Sequence, residues 1–130
     1  MARPQGVTHF KISIEDKPGA LSATAKELKS KKVGLIGLRA LHAEAYLIAK
    51  NPDKLRGALK ASGVTFEEGT SFFVQGTDKA GALVKSLEAI ARAGINILIT
   101  DAIAAGGTYG AFFQVAPGDV EKTAKVLGAK

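Results

Sequence analysis

Two short loops with nearly the same sequence could bind an anion in this chain. They read Asp16-Lys-Pro-Gly-Ala-Leu21 and Asp78-Lys-Ala-Gly-Ala-Leu83. We expect Gly19 and Gly81 to lie in the first turn of a helix, where backbone N–H groups have no acceptor within the helix and the dipole is positive. Such groups can hold a carboxylate or a phosphate, and a residue without a side chain lets the ligand approach closely.

The same residues also fit a purely structural role. Asp16 and Asp78 could cap the two helices by accepting hydrogen bonds from backbone N–H groups, with the glycines allowing a tight turn. Each loop taken alone fits capping better than binding. The duplication of the loop is what favours binding, and both interpretations stay open at this point.

Residue patterns for catalysis or metal binding are missing from the sequence. The chain has no cysteine, which excludes disulfides, thiolate zinc sites and a cysteine nucleophile. Its two histidines, His9 and His42, have no metal-ligand spacing, and no serine lies in a G-x-S-x-G elbow. A phosphate loop of the G-x-x-x-x-G-K-[ST] type is also missing. We therefore predict a protein that is not an enzyme and that uses no cofactor and no metal.

Composition and charge indicate a globular protein. The 130 residues are 46% hydrophobic and 23% charged, and the formal net charge is +6. Residues 1–65 hold 12 basic and 5 acidic residues, and residues 66–130 hold 6 basic and 7 acidic ones. This asymmetry can mark a surface for nucleic acid, but the densest lysine cluster, residues 26–32, suits the carbonyl end of a helix. The sequence shows no signal peptide or membrane span, so we expect a cytoplasmic protein without a membrane partner.

The loops belong to a repeat that extends over most of the chain. Placing Asp16 on Asp78 aligns the two loops and also aligns Leu35 with Ile97, and we call this match the repeat alignment. Further on, Pro52 aligns with Pro117 after a gain of about three residues near Gly106-Gly107, a pair that suits a hairpin turn. The predicted domains are residues 7–68 and 69–130.

Each repeat changes its hydrophobic period in the same order. Residues 9–15 alternate as a half-buried strand does, and apolar residues at helical spacing follow each loop, with Leu21, Ala25 and Leu28 in the first copy and Leu83, Leu87, Ile90 and Ala91 in the second. Strands are predicted at 33–41, 44–49, 64–66, 95–103 and 109–115, and helices at 52–62 and 117–127. The fold class is thus α+β, with two ferredoxin-like βαββαβ repeats of which the second lacks its last strand.

The order of elements, the D-x-P-G-x-L loop at Asp16–Leu21 and the Gly94-Ile-Asn-Ile97 segment resemble the ACT domain. The resemblance covers nearly the whole chain as two tandem copies. It implies a regulatory module that binds an amino acid or a related metabolite where two copies meet, and that passes the bound state to a regulated protein partner or to its own oligomer. It also implies that the loop of one copy holds the ligand carboxylate while the second strand of the other copy supplies further contacts.

By this resemblance the ligand-binding residues fall into two sets. The first set joins the first loop to the second repeat and contains Asp16, Lys17, Pro18, Gly19, Ala20, Leu21, Asn96 and Ile97. The second set contains Asp78, Lys79, Ala80, Gly81, Ala82, Leu83, Gly34 and Leu35. Ala80 replaces the proline of the pattern and Gly34 replaces the asparagine. We therefore expect unequal sites and favour the first set.

Two alternatives to a sensor are an RNA-binding protein and a purely structural dimerisation module. RNA recognition motifs share this layout, and the segment 108–115 carries aromatic residues on the third strand of its repeat. Only Tyr109 and Gly110 fit the RNA-binding signature, and core packing explains the aromatic residues Phe72, Phe73, Phe112 and Phe113 more simply.

The second repeat predicts a homodimer. Its strand near residues 95–100 has Ile95, Ile97 and Ile99 on one face and Leu98 on the other. Helices that cover only one side of the sheet would leave the face with Leu98 exposed. Because its last strand is missing, we also expect residues 72–75 to form an unpaired edge that is open to another chain.

Overall fold

The secondary structure follows the repeated pattern of the sequence. The computed structural model describes residues 4–129. Its elements are β1 (Gln5–Ser13), α1 (Ala20–Ser30), β2 (Leu35–Leu41), β3 (Glu44–Ala49), α2 (Pro52–Ala61), β4 (Phe66–Thr77), α3 (Val84–Arg92), β5 (Ile97–Ala105), β6 (Thr108–Val115) and α4 (Val120–Leu127), with a 3-10 turn at Pro117–Asp119. No strand follows α4 among the described residues. The predicted α+β class with an incomplete second repeat is confirmed.

The described residues form two units, each with its own apolar core. The first unit is residues 8–69, and the second unit is residues 70–129 together with residues 4–7. Strands run in the order β2-β3-β1-β4 in the first unit, which contains only the beginning of β4. They run in the order β1-β4-β6-β5 in the second unit, which contains only the beginning of β1. That residues 7–68 and 69–130 are separate domains stays a prediction.

The beginning of β1 takes the sheet position that the second repeat leaves open. Strand β4 consequently lies between β1 and β6, and the prediction of an unpaired edge at residues 72–75 is wrong. The reason is strand length, because β4 runs unbroken from Phe66 to Thr77 and joins the two strands predicted near residues 64–66 and 72–75. The outer strands are β2 in the first unit and β5 in the second.

The two cores are built from alternate strand residues and one side of each helix. In the first unit, Phe10, Leu47 and Leu55 are completely buried. In the second unit, Phe113 and Val74 are completely buried. Burial of each such side chain stabilises the fold by about 1.5–3 kcal/mol.

The apolar stripes predicted for α1 and α3 are narrower than expected. Leu28 is the buried residue of α1 and Ile90 that of α3. Ala25 and Ala91 are exposed, and Leu87 is 37% exposed. Helical spacing therefore overestimated the buried face of both helices.

A β-bulge interrupts the outer strand of each unit at the same place in the repeat. In β5, Ile97 lies opposite Val115 but Ile99 lies opposite Gln114, so the register shifts at Leu98. In β2 the same shift occurs at Ile36, which matches Leu98 in the repeat alignment. The bulge turns Ile99 away from the core, and the prediction that Ile97 and Ile99 share a face is wrong.

Candidate functional site

The first loop forms an open turn ahead of α1. Gly19 has a φ of 86°, in the left-handed region that favours glycine, and it is the residue that caps the helix. A side chain at this position would meet no atom within 4 Å. The N–H group of Ala20 donates to the Lys17 carbonyl at 3.3 Å, and Ala23 N–H donates to the Gly19 carbonyl at 2.9 Å. Gly19 therefore lies just outside the helix and leaves free space in front of it.

The second loop has a related but longer turn. Gly81 has a φ of 77°, and α3 begins only at Val84. The N–H group of Ala82 donates to the Lys79 carbonyl at 3.0 Å, and Val84 N–H donates to the Gly81 carbonyl at 3.1 Å. Neither glycine lies within the helix itself, which corrects the placement predicted from the sequence. The substitution of Ala80 for proline accompanies this later start of the helix.

Neither aspartate of the repeated loops caps its helix. The N-cap residue of α1 is Gly19 and that of α3 is Leu83, and no side chain accepts a hydrogen bond from the first turn of either helix. Helix α2 differs, because Asn51 Oδ1 accepts a hydrogen bond from Lys54 N–H at 3.2 Å. The capping interpretation of Asp16 and Asp78 is therefore wrong, and the N–H groups at the starts of α1 and α3 remain without a side-chain acceptor.

Charged side chains surround the first loop at the surface. Lys17 Nζ lies 3.0 Å from Glu15 Oε2, and both side chains are mostly exposed. Asp16 Oδ2 lies 4.0 Å from His42 Nδ1, and His42 has a φ of 53° in the turn between β2 and β3. The carboxylate of Asp16 thus lies near the turn between β2 and β3 and does not cap α1.

Asn96 and Gly34 occupy equivalent positions directly before the outer strands. Both are exposed, and each precedes its β-bulge by two residues. The Gly34 carbonyl accepts a hydrogen bond from Lys50 N–H at 3.0 Å. The bulges escaped the sequence-based prediction, because they are visible only in the pairing of β2 with β3 and of β5 with β6. Leu35 and Ile97 begin the two strands and pack against the cores.

The two histidines differ in environment. His9 is buried, its ring forms an edge-to-face contact with Tyr46, and it lies against the Cα of Gly69, where an added Cβ would be 2.6 Å from its Nε2 atom. Burial lowers the pKa of His9 below 6.5, and the charge of Lys11 lowers it further. His42 is exposed. Among residues 4–129, no three His, Cys, Asp or Glu side chains are grouped as a metal site would require.

The aromatic residues considered for RNA stacking lie largely within the second core. Phe72, Tyr109 and Phe113 are at most 7% exposed, and Phe73 and Phe112 are half-buried. A base can stack only on an accessible ring face, so core packing is the role that burial supports. Within the described residues, no helix is long and apolar enough to cross a membrane.

Two βαββα units, each with a glycine turn between its first strand and first helix, define a tandem ACT-type fold. Protein BT0572 from Bacteroides thetaiotaomicron has the same fold at a TM-score of 0.78 and 21% identity, over 96% of this chain and 88% of that one. The ligand-free regulatory subunit of aspartate kinase from Thermus thermophilus matches at a TM-score of 0.61 and 14% identity, over 98% and 94% of the two chains.

A whole enzyme contains a region of this fold as well. Aspartokinase III from E. coli, in complex with lysine and aspartate, matches at a TM-score of 0.62 and 16% identity, over 97% of this chain but 31% of that one. The chain therefore spans about a third of that enzyme. No protein-family model and no curated protein sequence matches this chain. The resemblance to the ACT domain is thus confirmed for the fold.

Proposed function

We propose that this protein is a non-enzymatic regulatory module that binds an amino acid or a related small metabolite. The observation that carries the proposal is the start of α1, where a left-handed glycine leaves open space and no side chain caps the helix although Asp16 is close by in sequence. Backbone N–H groups in such a position can hold the carboxylate of a ligand. The regulatory subunit of an aspartate kinase has the same fold, which supports a regulatory role.

The first set of predicted residues is the preferred site. In it the Asp16–Leu21 loop would hold the ligand carboxylate, and Asn96 would supply a polar contact from its amide group. The second set, the Asp78–Leu83 loop with Gly34 and Leu35, would bind more weakly or not at all. Its helix starts later, and Gly34 offers no polar side chain. The lysine and aspartate bound by aspartokinase III from E. coli make polar amino acids the first ligands to test.

A thermal-shift measurement with each of the common amino acids at millimolar concentration tests the proposal. A ligand present at 100 times its dissociation constant adds about 2.7 kcal/mol to the free energy of unfolding and raises the melting temperature. At least one amino acid should produce such a shift. If none does, the function as an amino-acid sensor is wrong and a structural dimerisation module becomes the better explanation.

Matched variants connect that shift to the loop. Gly19→Val should abolish the ligand-induced shift because its side chain fills the space before α1, and Asn96→Ala should reduce it. Asn51→Ala is the control, since it removes an asparagine that caps α2 and should lower stability by about 1 kcal/mol while leaving the ligand-induced shift intact. An unchanged affinity in folded Gly19→Val protein would remove the loop from the site.

A further inference from the structure

A cavity of about 490 Å³ lies within the second unit, between the start of α3, the end of α4 and the beginning of β6. This volume is in the range of small-molecule sites. Tyr109 lines this cavity and is 7% exposed, whereas Lys79 and Lys85, which also line it, are exposed. Ala89 and Leu127 provide apolar walls. The lining thus combines apolar residues with two lysines.

Ser86 lines this cavity, and its hydroxyl has no hydrogen-bond partner among residues 4–129. Ser86 is half-buried, and it is the one Ser or Thr of the described helices whose hydroxyl does not bond a carbonyl of the preceding turn. Every other helical hydroxyl there donates to a carbonyl one turn earlier: Ser22 to Gly19, Thr24 to Ala20, Ser30 to Glu27 and Thr123 to Asp119. A half-buried hydroxyl that does not make this bond can form a hydrogen bond with a ligand.

Tyr109, which also lines the cavity, has its hydroxyl close to the turn that precedes α3. The hydroxyl of Tyr109 donates to the Ala82 carbonyl, which is the acceptor one turn before Ser86. At 3.4 Å this hydrogen bond is long for an O–H donor, so the phenol can turn to a better acceptor at little cost.

The first unit has no such arrangement. Ala43 stands in place of Tyr109. In the repeat alignment Ile12 matches Val74, and these residues pair with Ala45 and Ala111, so Tyr109, two residues before Ala111, matches Ala43. Thr24, which matches Ser86 in the repeat alignment, bonds its own helix. The open hydroxyl and the phenol are therefore specific to the second unit.

The charge of the lining selects the sign of a ligand. Lys79 and Lys85 contribute two positive charges, and no aspartate or glutamate of residues 4–129 lines the cavity. A carboxylate is attracted by both ammonium groups, whereas an ammonium group on the ligand would have no carboxylate partner there and would be repelled. An amino acid is therefore a poorer fit than the acid of the same carbon skeleton that lacks the amine.

We propose that this cavity binds a small organic acid with one carboxylate and a short aliphatic body. Lys79 and Lys85 attract its carboxylate, Ser86 and Tyr109 donate hydrogen bonds to its oxygen atoms, and the aliphatic part packs on Ala89 and Leu127. The proposal is independent of the amino-acid site at the Asp16–Leu21 loop.

The test uses 4-methyl-2-oxopentanoate as the probe, with leucine as the amino acid of the same skeleton. Titration of the full chain at constant ionic strength, followed by amide NMR shifts, should move the signals of residues 79–89 and 126–127. Ser86→Ala should weaken binding about tenfold, because it removes a hydrogen bond to a charged group. Thr24→Val, which removes the equivalent hydroxyl of the first unit, should leave the affinity unchanged.

Further variants separate charge from shape. Lys85→Gln should weaken binding up to about fivefold, and Lys54→Gln on α2 should have no effect. Ala89→Leu should abolish binding by filling the cavity. If Ala89→Leu does not fold, the loss of affinity in Ser86→Ala tests the proposal instead. Gly19→Val should bind the probe normally, which distinguishes this cavity from the loop site.

Three results would overturn the proposal: no shifts in residues 79–89 at saturating probe, equal affinity for leucine and the oxo acid, or unchanged affinity in both Ser86→Ala and Lys85→Gln.

Discussion

Replacing glycine by alanine should lower the stability of this protein at one position and raise it at another. Gly19 has a φ of 86°, and Gly57 lies inside α2 without a positive φ. A Cβ atom would meet nothing within 4 Å at either position. Steric contact is therefore the same in both cases, and backbone conformation alone should decide the sign of the change.

The two magnitudes follow from that conformation. An L-residue in the left-handed region costs about 1–2 kcal/mol, and the less flexible unfolded chain returns about 0.4–1 kcal/mol, so Gly19→Ala should lose about 1 kcal/mol. Gly57→Ala should gain about 0.8–1 kcal/mol, which is the difference in helix propensity. The two variants should thus differ by about 2 kcal/mol. Gly34→Ala has open space and no positive φ, and should change stability by less than about 0.5 kcal/mol.

Urea unfolding followed by far-UV circular dichroism measures these differences, provided that the slope of the free energy with urea is the same in all variants. Gly19→Asn should recover part of the loss, because asparagine tolerates the left-handed region better than alanine does. A Gly19→Ala protein that unfolds at or above the urea concentration of the wild type would refute the reasoning, and so would a Gly57→Ala protein that unfolds earlier.

Three further outcomes are expected. Because the pKa of His9 is lowered in the folded protein, the unfolded chain binds more protons than the folded one just below pH 6.5. Stability should therefore fall as the pH drops below 6.5. His9→Gln should flatten this part of a plot of urea midpoint against pH. Phe113→Ala, which empties a completely buried site, should cost about 3–5 kcal/mol by urea unfolding, and a loss below 1 kcal/mol would contradict its place in the core. Sedimentation at micromolar concentration should show a homodimer. Leu98→Lys should weaken this dimer, since Leu98 is 53% exposed and apolar. A concentration-independent monomer would disprove the predicted assembly.

The sequence predicted the order of elements because repeated local patterns encode it. Alternation indicated the strands, proline at Pro52 marked the start of α2, and the match of Asp16 to Asp78 revealed the repeat. The β-bulge at Leu98 could not be read from the same pattern, because one extra residue in a strand leaves no mark on local periodicity and appears only in the pairing with β6. The pairing of β1 with β4 was missed for a similar reason, since the two strands are far apart in sequence.

In the candidate sites, too, local features were predictable and features that depend on distant contacts were not. Glycine was predicted to allow a tight turn at Gly19 and Gly81, but both glycines lie before their helices rather than in the first helical turn, and both have a positive φ. The capping roles of the aspartates were wrong because side-chain direction depends on the surrounding turns, as the approach of Asp16 to His42 shows. Ser86 carried no signal in the sequence, because the cavity that it lines is formed by residues far apart in the chain, such as Tyr109 and Leu127.

The sharing of β1 between the units has a consequence for synthesis. A chain folds as it leaves the ribosome, usually from its N-terminal part onwards. Residues 5–7 emerge before the whole first unit, yet they belong to the unit whose other residues, 70–129, emerge after it. The first unit can pair its strands as soon as residues 8–69 are available, but the second must bring its two ends together across that whole stretch, and such distant contacts form slowly. A nascent chain therefore carries a strand beginning that stays unpaired until the residues of β4 have emerged.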